Sequence, residues 1–295
     1  MWFWLLVIGG LFGSIRSLIS RIIMRDEEES LIYTFIYQAL LAVLMVPLCF
    51  LNLKLPSAPL SYFALILVGV VDSLAVYLLL ESARLLELSL RIIISHSEMV
   101  WILILGALLL QESLGAFKAL GVCLIFLGIG LASFKKERVG RLKSLWQRVW
   151  AKDKTFKEKG VILVLSATTL KASEKIIVKH LLQDFSPAFV AFIIRGVSAL
   201  CLLLVIENLR PRAVGFLKRK GMLAFLHGFS GAAAFFFFLW ATSMAEISRT
   251  LPITQGFSIL TILGGIVFLK ERERVWQKIL GGILTAIGVI LVRGS

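Results

Sequence analysis

The sequence predicts an all-α integral membrane protein, with ten transmembrane helices arranged as two inverted-topology five-helix repeats. Three observations carry this. Of 295 residues, 59% are hydrophobic and 17% charged, whereas soluble domains sit near ~45–50% and ~25%. Apolar runs long enough to cross a ~30 Å hydrocarbon core as helix recur along the whole chain. One long basic segment divides those runs five and five, and the two sides align with each other at a fixed offset.

The first run, 2–24, has no basic n-region and leads into the acidic stretch 25–29 without a small-residue cleavage site. It reads as a helix that stays, not as a signal peptide. Runs 31–51, 61–83, 91–110 and 115–134 follow, then the polar segment 135–159, then 160–182, 188–206, 221–244, 251–269 and 276–292. Gly and Pro inside several of them would break soluble helices but are common in packed membrane ones. A β-barrel would show alternating segments of ~10 residues, and Ala232-Ala233-Ala234-Phe235-Phe236-Phe237-Phe238 does not alternate. The expected organisation is a first repeat over 1–134, a basic amphipathic linker over 135–159 and a second repeat over 160–295.

The duplication is legible residue by residue. An offset of 159 aligns Gly69 with Gly228, Ala75 with Ala234, Glu87 with Glu246, Ser89 with Ser248, Gly106 with Gly265 and Glu112 with Glu271. One further residue of gap aligns Gly121 with Gly281 and Gly128 with Gly288. Because five is odd, the second copy enters the membrane from the opposite side. Inverted repeats of this kind belong mainly to secondary transporters, where they supply two near-equivalent packings.

The charge is strongly basic, 32 Lys+Arg against 18 Asp+Glu, a net +14. A nucleic-acid protein would carry that charge on a polar surface, which this chain lacks. Instead 21 cations fall in connections on one face, ten of them in 135–159, and five on the other. The positive-inside rule then puts the linker in the cytoplasm and both termini outside, in a multi-pass protein of the cytoplasmic (inner) membrane. Val139, Leu142, Leu145, Trp146, Val149 and Trp150 recur at helical spacing between basic residues. They predict an amphipathic helix on anionic headgroups, a solvated basic loop being the alternative.

These residues resemble the drug/metabolite transporter superfamily of the EamA type. Each half closes its fourth helix on Glu, in Leu108-Leu109-Leu110-Gln111-Glu112 and Val267-Phe268-Leu269-Lys270-Glu271, and resumes with a Gly-rich fifth helix. Phe12-Gly13-Ser14 looks like the family's first-helix element, and Arg195 with Ala199 like the Arg-x-x-x-Ala of its second. The resemblance covers the whole chain. It implies a ten-helix carrier whose cavity is lined mainly by the first, third, fourth, sixth, eighth and ninth helices. Departures are Gln38 where the first half would have Arg, Lys171 where the second half would have the aromatic, and Pro252 only at the start of the ninth helix.

Intramembrane polar groups cost roughly 2.5–3.5 kcal/mol each at a helix centre unless paired or hydrated, so they mark the site. Asp72, His96, Glu98, Lys171, Glu174 and Arg195 lie near mid-run, with Arg16 and Lys175 somewhat off centre. Lys171 and Glu174 share one helical face and predict a local pair. The repeat offset maps Arg16 onto Lys175 and His96 onto Gln255, like chemistry at inverted depths. The substrate-binding candidates are Arg16, Asp72, Tyr77, His96, Glu98, Trp101, Lys171, Glu174, Lys175, Trp240 and Gln255. For the charged members the bland alternative is a structural ion pair or snorkelling; for Tyr77, Trp101 and Trp240 it is packing. Two at most of Phe235 to Phe238 can face a cavity. Buried acids carry coupling protons in many transporters, which makes Glu98 the proton-coupling candidate with His96 next in line. On a continuous helix those two stand about 200° apart and cannot both face one point. The alternative for Glu98 is a buried salt bridge to Arg195 or Lys171.

Other chemistries fit poorly. Gly128-Ile129-Gly130 lies in an apolar helix with no preceding strand, and no Walker motif is present. Cys49, Cys123 and Cys201, with His96, His180 and His227, are too scattered for disulfides or a metal, and no cofactor or enzymatic activity is expected. The expected partners are a small-molecule substrate and the anionic headgroups under the linker, not nucleic acid, in a monomer or weak homodimer. The favoured reading is a secondary active transporter, an exporter or exchanger of a small organic metabolite such as an amino acid or other zwitterion. A flippase for a lipid or polyprenyl-linked head group, or a carrier of a small organic anion, is the alternative.

Overall fold

The computed structural model describes residues 1–25, 27, 29–50, 59–110, 116–133, 156–245, 250, 253–254, 256–271 and 275–293. Its helices are α1 (Trp2–Arg25), α2 (Ser30–Cys49), α3 (Pro59–Leu85), α4 (Leu88–Ser95), α5 (Ser97–Leu110), α6 (Ala116–Ser133), α7 (Phe156–Asp184), α8 (Pro187–Val205), α9 (Leu209–Met244), α10 (Ser258–Val267) and α11 (Val275–Arg293). No strand occurs among the described residues. With α4 and α5 taken as one broken span, the helices follow the ten predicted runs in order. The body of the expected linker helix, Gln255 and Glu112 lie outside the described residues.

Five helices, α1, α2, α3, α8 and α9, are each long and apolar enough to cross a membrane. Their outward side chains are apolar: Leu204, Phe50, Leu60 and Trp4 are all exposed, as a lipid-facing surface requires. Several hydroxyls inside the spans are satisfied on their own helix. Ser17 donates to the Gly13 carbonyl at 2.9 Å, Thr34 to Ser30 at 2.7 Å and Thr242 to Phe238 at 2.8 Å. Pro187 opens α8 at its first turn, where a missing N–H costs nothing, after an extended Ser186.

The helices depart from the ten expected spans in two ways. The fourth breaks at His96, where His96 N bonds Ile93 O at 3.2 Å and Met99 N bonds His96 O at 3.1 Å, both tight three-residue closures. The ninth breaks likewise at Phe257, with Leu260 N on Phe257 O at 3.1 Å. The second departure is at Lys220, whose φ of −132° kinks α9. Residues 209–219, read above as a loop, are helical. They bury Phe216 against the Tyr33 ring at 5.5 Å while carrying Arg210, Arg212, Lys218 and Arg219, the pattern of a helix lying in an interface.

The inverted symmetry is visible in the packing. α1 packs on α9 and α3 on α7, which are the same contact after exchanging halves; α2 packs on α8 and α6 on α11, which map onto themselves. At the α6–α11 crossing a Cβ on Gly128 would stand 2.5 Å from the Gly281 carbonyl oxygen, and one on Gly288 would stand 2.6 Å from that of Gly121. Exchange of halves turns the first contact into the second. Gly128→Ala and Gly288→Ala are therefore expected to cost similar amounts, about 1–3 kcal/mol each, by forcing the helices apart. Unfolding of both variants in detergent checks this, and a large cost at one position with none at the other contradicts it.

The short connections gather by face. On the face where α7 begins, a Cβ on Gly160 would stand 2.6 Å from Leu86. Arg219 pairs with Glu27 at 3.4 Å, Arg212 with Glu29 at 3.3 Å, and Lys278 with Glu87. This is the linker face. On the opposite face Ser61 bonds Asp184 at 2.7 Å, and Lys179 donates to the Thr242 and Ala245 carbonyls at 2.8 and 2.9 Å.

Candidate functional site

Between the halves lies a cavity of about 330 Å³. Its wall comes from α1, α3, α4, α5, α7, α9, α10 and the turn before α10, with Tyr37 of α2 and Arg195 of α8. Close approach of α1 shapes it. Gly10 lies against the Phe257 ring, and a Cβ on Gly9 would stand 3.2 Å from Phe237 Cβ. Ser14 donates to the Phe257 carbonyl at 3.1 Å, an oxygen that also accepts from Leu260 N, and so ties α1 to the turn before α10.

Asp72 is the anchor of the charged groups. It is fully buried behind the cavity wall, and Arg195 Nη1 donates to its two oxygens at 2.8 and 2.6 Å. Gln38 donates to it at 2.6 Å, and Lys171 forms an ion pair with it. Gln38 also bonds Ser198 at 2.6 Å and accepts from Arg195 at 3.3 Å. Gln38, where the resemblance led to an expectation of Arg, thus joins Arg195 and Asp72 in one network. Lys171 turns its remaining donors to Glu174 at 2.6 Å, the pair expected from their spacing. Asp72, Glu174, Lys171 and Arg195 together carry no net charge, as burial demands. The guanidinium of Arg195 lies 3.9 Å from the Phe235 ring centre, on its face.

The remaining acid, Glu98, pairs with Lys175 at 2.7 Å, not with Arg195 or Lys171. Lys175 also sits 5.2 Å from the Phe238 ring centre. His96 and Glu98 both line the cavity. The break at His96 removes the continuous-helix geometry that would have separated them. His96 Nδ1 lies 2.8 Å from the Ile92 carbonyl, which only accepts, so Nδ1 carries the hydrogen; Nε2 faces the Ser258 hydroxyl at 2.9 Å. The two broken spans therefore meet through one imidazole.

Of the other candidates, Arg16, Lys171, Glu174 and Lys175 line the cavity. Tyr77, Trp101 and Trp240 are half-buried and are not among its lining residues. Trp240 packs on Phe236 at 5.5 Å and near Leu5 and Leu6. Of the four consecutive phenylalanines, Phe235 and Phe238 reach the cavity. Gln255 is outside the described residues. Sequence reasoning missed Arg91, which it placed in a connection on the linker face; Arg91 is buried in α4 and lines the cavity. It also missed His227, which lies under the Tyr37 ring at 4.2 Å. The available signal for Arg91 was its position at the first residue of an apolar run.

Comparison with known proteins agrees with this architecture. No curated protein matches the sequence. A solved structure described only as "Crystal structure of protein" matches with a TM-score of 0.59 over 97% of this chain and 95% of its own, at 10% identity. At that identity the likeness shows the fold alone. The model of the EamA-like transporter family matches twice, over residues 1–134 and 158–294. With each half carrying the match and the two halves packed about a charged internal cavity, the chain belongs to the EamA-like transporter family and is an integral, multi-pass membrane transporter of the drug/metabolite transporter type.

Proposed function

We propose that the chain is a secondary active carrier that moves a small charged organic metabolite across the cytoplasmic membrane by alternating access. The observation that carries this reading is the cavity itself, built from both repeats and lined by charged side chains. Inverted halves supply two packings of similar energy, and a site on the boundary between them opens to each side in turn. With Arg91 removed from the connections, their cations divide 20 to 5, which supports a cytoplasmic linker and external termini.

Zwitterion and organic anion are the two classes of small metabolite that the sequence leaves open. The cavity wall carries five cations, Arg16, Arg91, Lys171, Lys175 and Arg195, against the carboxylates Glu98 and Glu174. That excess supports the anion. The test is counterflow into proteoliposomes preloaded with unlabelled metabolite, across a panel of organic anions and amino acids. Saturable uptake that depends on the preloaded compound supports a carrier; uptake of none of them sinks it.

Glu98 is the group to examine for proton coupling, because it reaches the cavity and is tied by a single ion pair to Lys175. If it carries the coupling proton, Glu98→Gln transports with a rate indifferent to a pH gradient that drives the wild type. Unchanged proton dependence in the variant removes Glu98 from the mechanism.

A further inference from the structure

Among the described residues, Arg16 and Arg91 differ from the cavity's other Lys and Arg side chains in having no counter-charge. Lys171 and Arg195 are balanced by Asp72 and Glu174, and Lys175 by Glu98. Among the described residues no carboxylate stands within ion-pair distance of Arg16 or Arg91. Arg91 uses Nη1 on the Leu79 carbonyl at 3.3 Å and Nη2 on the Ser20 hydroxyl at 3.1 Å. These satisfy donors without neutralising the charge, and a guanidinium has five donors in all. Ser20 lies four residues beyond Arg16 on α1, one helical turn away. The Arg91 guanidinium is thus held beside the turn of α1 that carries Arg16, and both side chains line one cavity.

Glu271, the carboxylate at the start of α4, is already committed. It accepts from the Leu88 and Ser89 backbone at 2.7 and 3.1 Å and pairs with Arg21 at 3.7 Å. Two uncompensated cations in a low-dielectric cavity are costly, and a bound anion is what offsets them. Neighbouring hydroxyls contribute little donor capacity, since Ser17 and Ser95 donate to the Gly13 and Ile92 carbonyls of their own helices at 2.9 and 2.7 Å. Recognition on this wall is therefore by charge.

Building on the carrier reading, we infer that Arg16 and Arg91 form a dianion-binding site at the linker-ward end of the cavity. Its substrate is a small organic dianion, a phosphate monoester or a dicarboxylate, whose two charges match the two guanidiniums. The planar fork of each arginine suits either oxygen pair. The Asp72 cluster and the Lys175–Glu98 pair, being internally balanced, leave no second excess charge for an amino group to answer.

Thermal stabilisation of the detergent-purified full chain tests this, because a ligand that binds only the folded state raises Tm. The probes are glycerol 3-phosphate, succinate, lactate and glutamine, each titrated against wild type, Arg16→Gln, Arg91→Gln and the two Arg→Lys variants. The expected result is stabilisation by one or both dianions and weaker stabilisation by lactate. Each Gln variant is expected to raise the apparent Kd for the dianion at least tenfold, with the Lys variants between. Which dianion acts distinguishes phosphate from dicarboxylate. The Tm of each variant without ligand is measured alongside, and an unchanged or higher value separates lost binding from lost folding. Stabilisation by glutamine alone, or dianion binding equal in wild type and both Gln variants, overturns the site. Counterflow of the same four compounds separates the two claims. Transport of glutamine only keeps the carrier and removes the dianion site, whereas arginine-dependent binding without counterflow keeps the site and removes the carrier.

Discussion

Asp72→Ala is expected to destabilise the protein by about 3–5 kcal/mol, the cost of removing one partner from a buried ion network. The aspartate is fully buried and is the common acceptor of Arg195, Lys171 and Gln38. Its loss leaves a net charge of +1 on the remaining Glu174, Lys171 and Arg195, and strands the two Arg195 bonds. Lys171 retains Glu174, so the damage concentrates on Arg195, which is left with Gln38 at 3.3 Å and the Phe235 ring. The double substitution Asp72→Asn with Arg195→Gln restores neutrality at that point and is expected to cost less than the sum of its parts. Equilibrium unfolding in mixed detergent reads both. A cost below about 1 kcal/mol for Asp72→Ala, the range of an exposed pair, contradicts the assignment of Asp72 as the anchor.

Glu271→Ala is expected to be the second large loss, about 2–4 kcal/mol, and it acts by a different route. The carboxylate of Glu271 meets the Leu88 N–H at 2.7 Å, the Ser89 N–H at 3.1 Å and the Ser89 hydroxyl at 2.8 Å. Glu87, the residue before α4, makes no side-chain cap of its own. A residue from the second repeat thus satisfies the free amides of a helix in the first and places negative charge at its positive end. A cap alone is worth ~0.5–2 kcal/mol, and the Arg21 partner at 3.7 Å adds to it. Glu271→Gln keeps an acceptor oxygen and loses the charge, so about half the loss should return. Because Arg91 sits one turn into α4, the alanine variant should also weaken dianion binding. Full stability in Glu271→Ala, or equal damage from Ala and Gln, rules out this capping account.

Much of the fold was legible because its signals are local or periodic. The ten runs follow from hydropathy and length, and the inverted repeat follows from parity and from landmarks such as Gly128 and Gly288. The Lys171–Glu174 pair follows from helical spacing alone. One source of misreading is treating a span as an uninterrupted cylinder. The turn at His96 changes the azimuth of everything after it, so an angle counted between His96 and Glu98 loses its meaning. The helix 209–219 before the kink at Lys220 was missed for another reason, since its basic residues hide it from a hydropathy window. Partner choice among buried charges was not legible either. Four cations and three acids admit several pairings, and only the packing of α3, α7 and α8 gives Asp72 to Arg195 and Lys171 and leaves Glu98 for Lys175. Arg91 escaped because a run boundary drawn from hydropathy cannot tell a cation at a helix end in water from one pointing inward.

The reciprocal glycine contacts at the α6–α11 crossing carry a consequence for motion. Suppose the two halves trade conformations, each adopting the arrangement of the other. Every asymmetric feature must then relocate, including the tilt of α1 against α9 and the depth of each break. The Gly128–Gly281 and Gly288–Gly121 contacts only swap identities, so the seam they form is returned to itself. Under such an exchange it would be the pivot, the stationary line about which the halves turn, with Thr285 packed over Gly128 and Ile125 packed over Gly288 trading places in the same way.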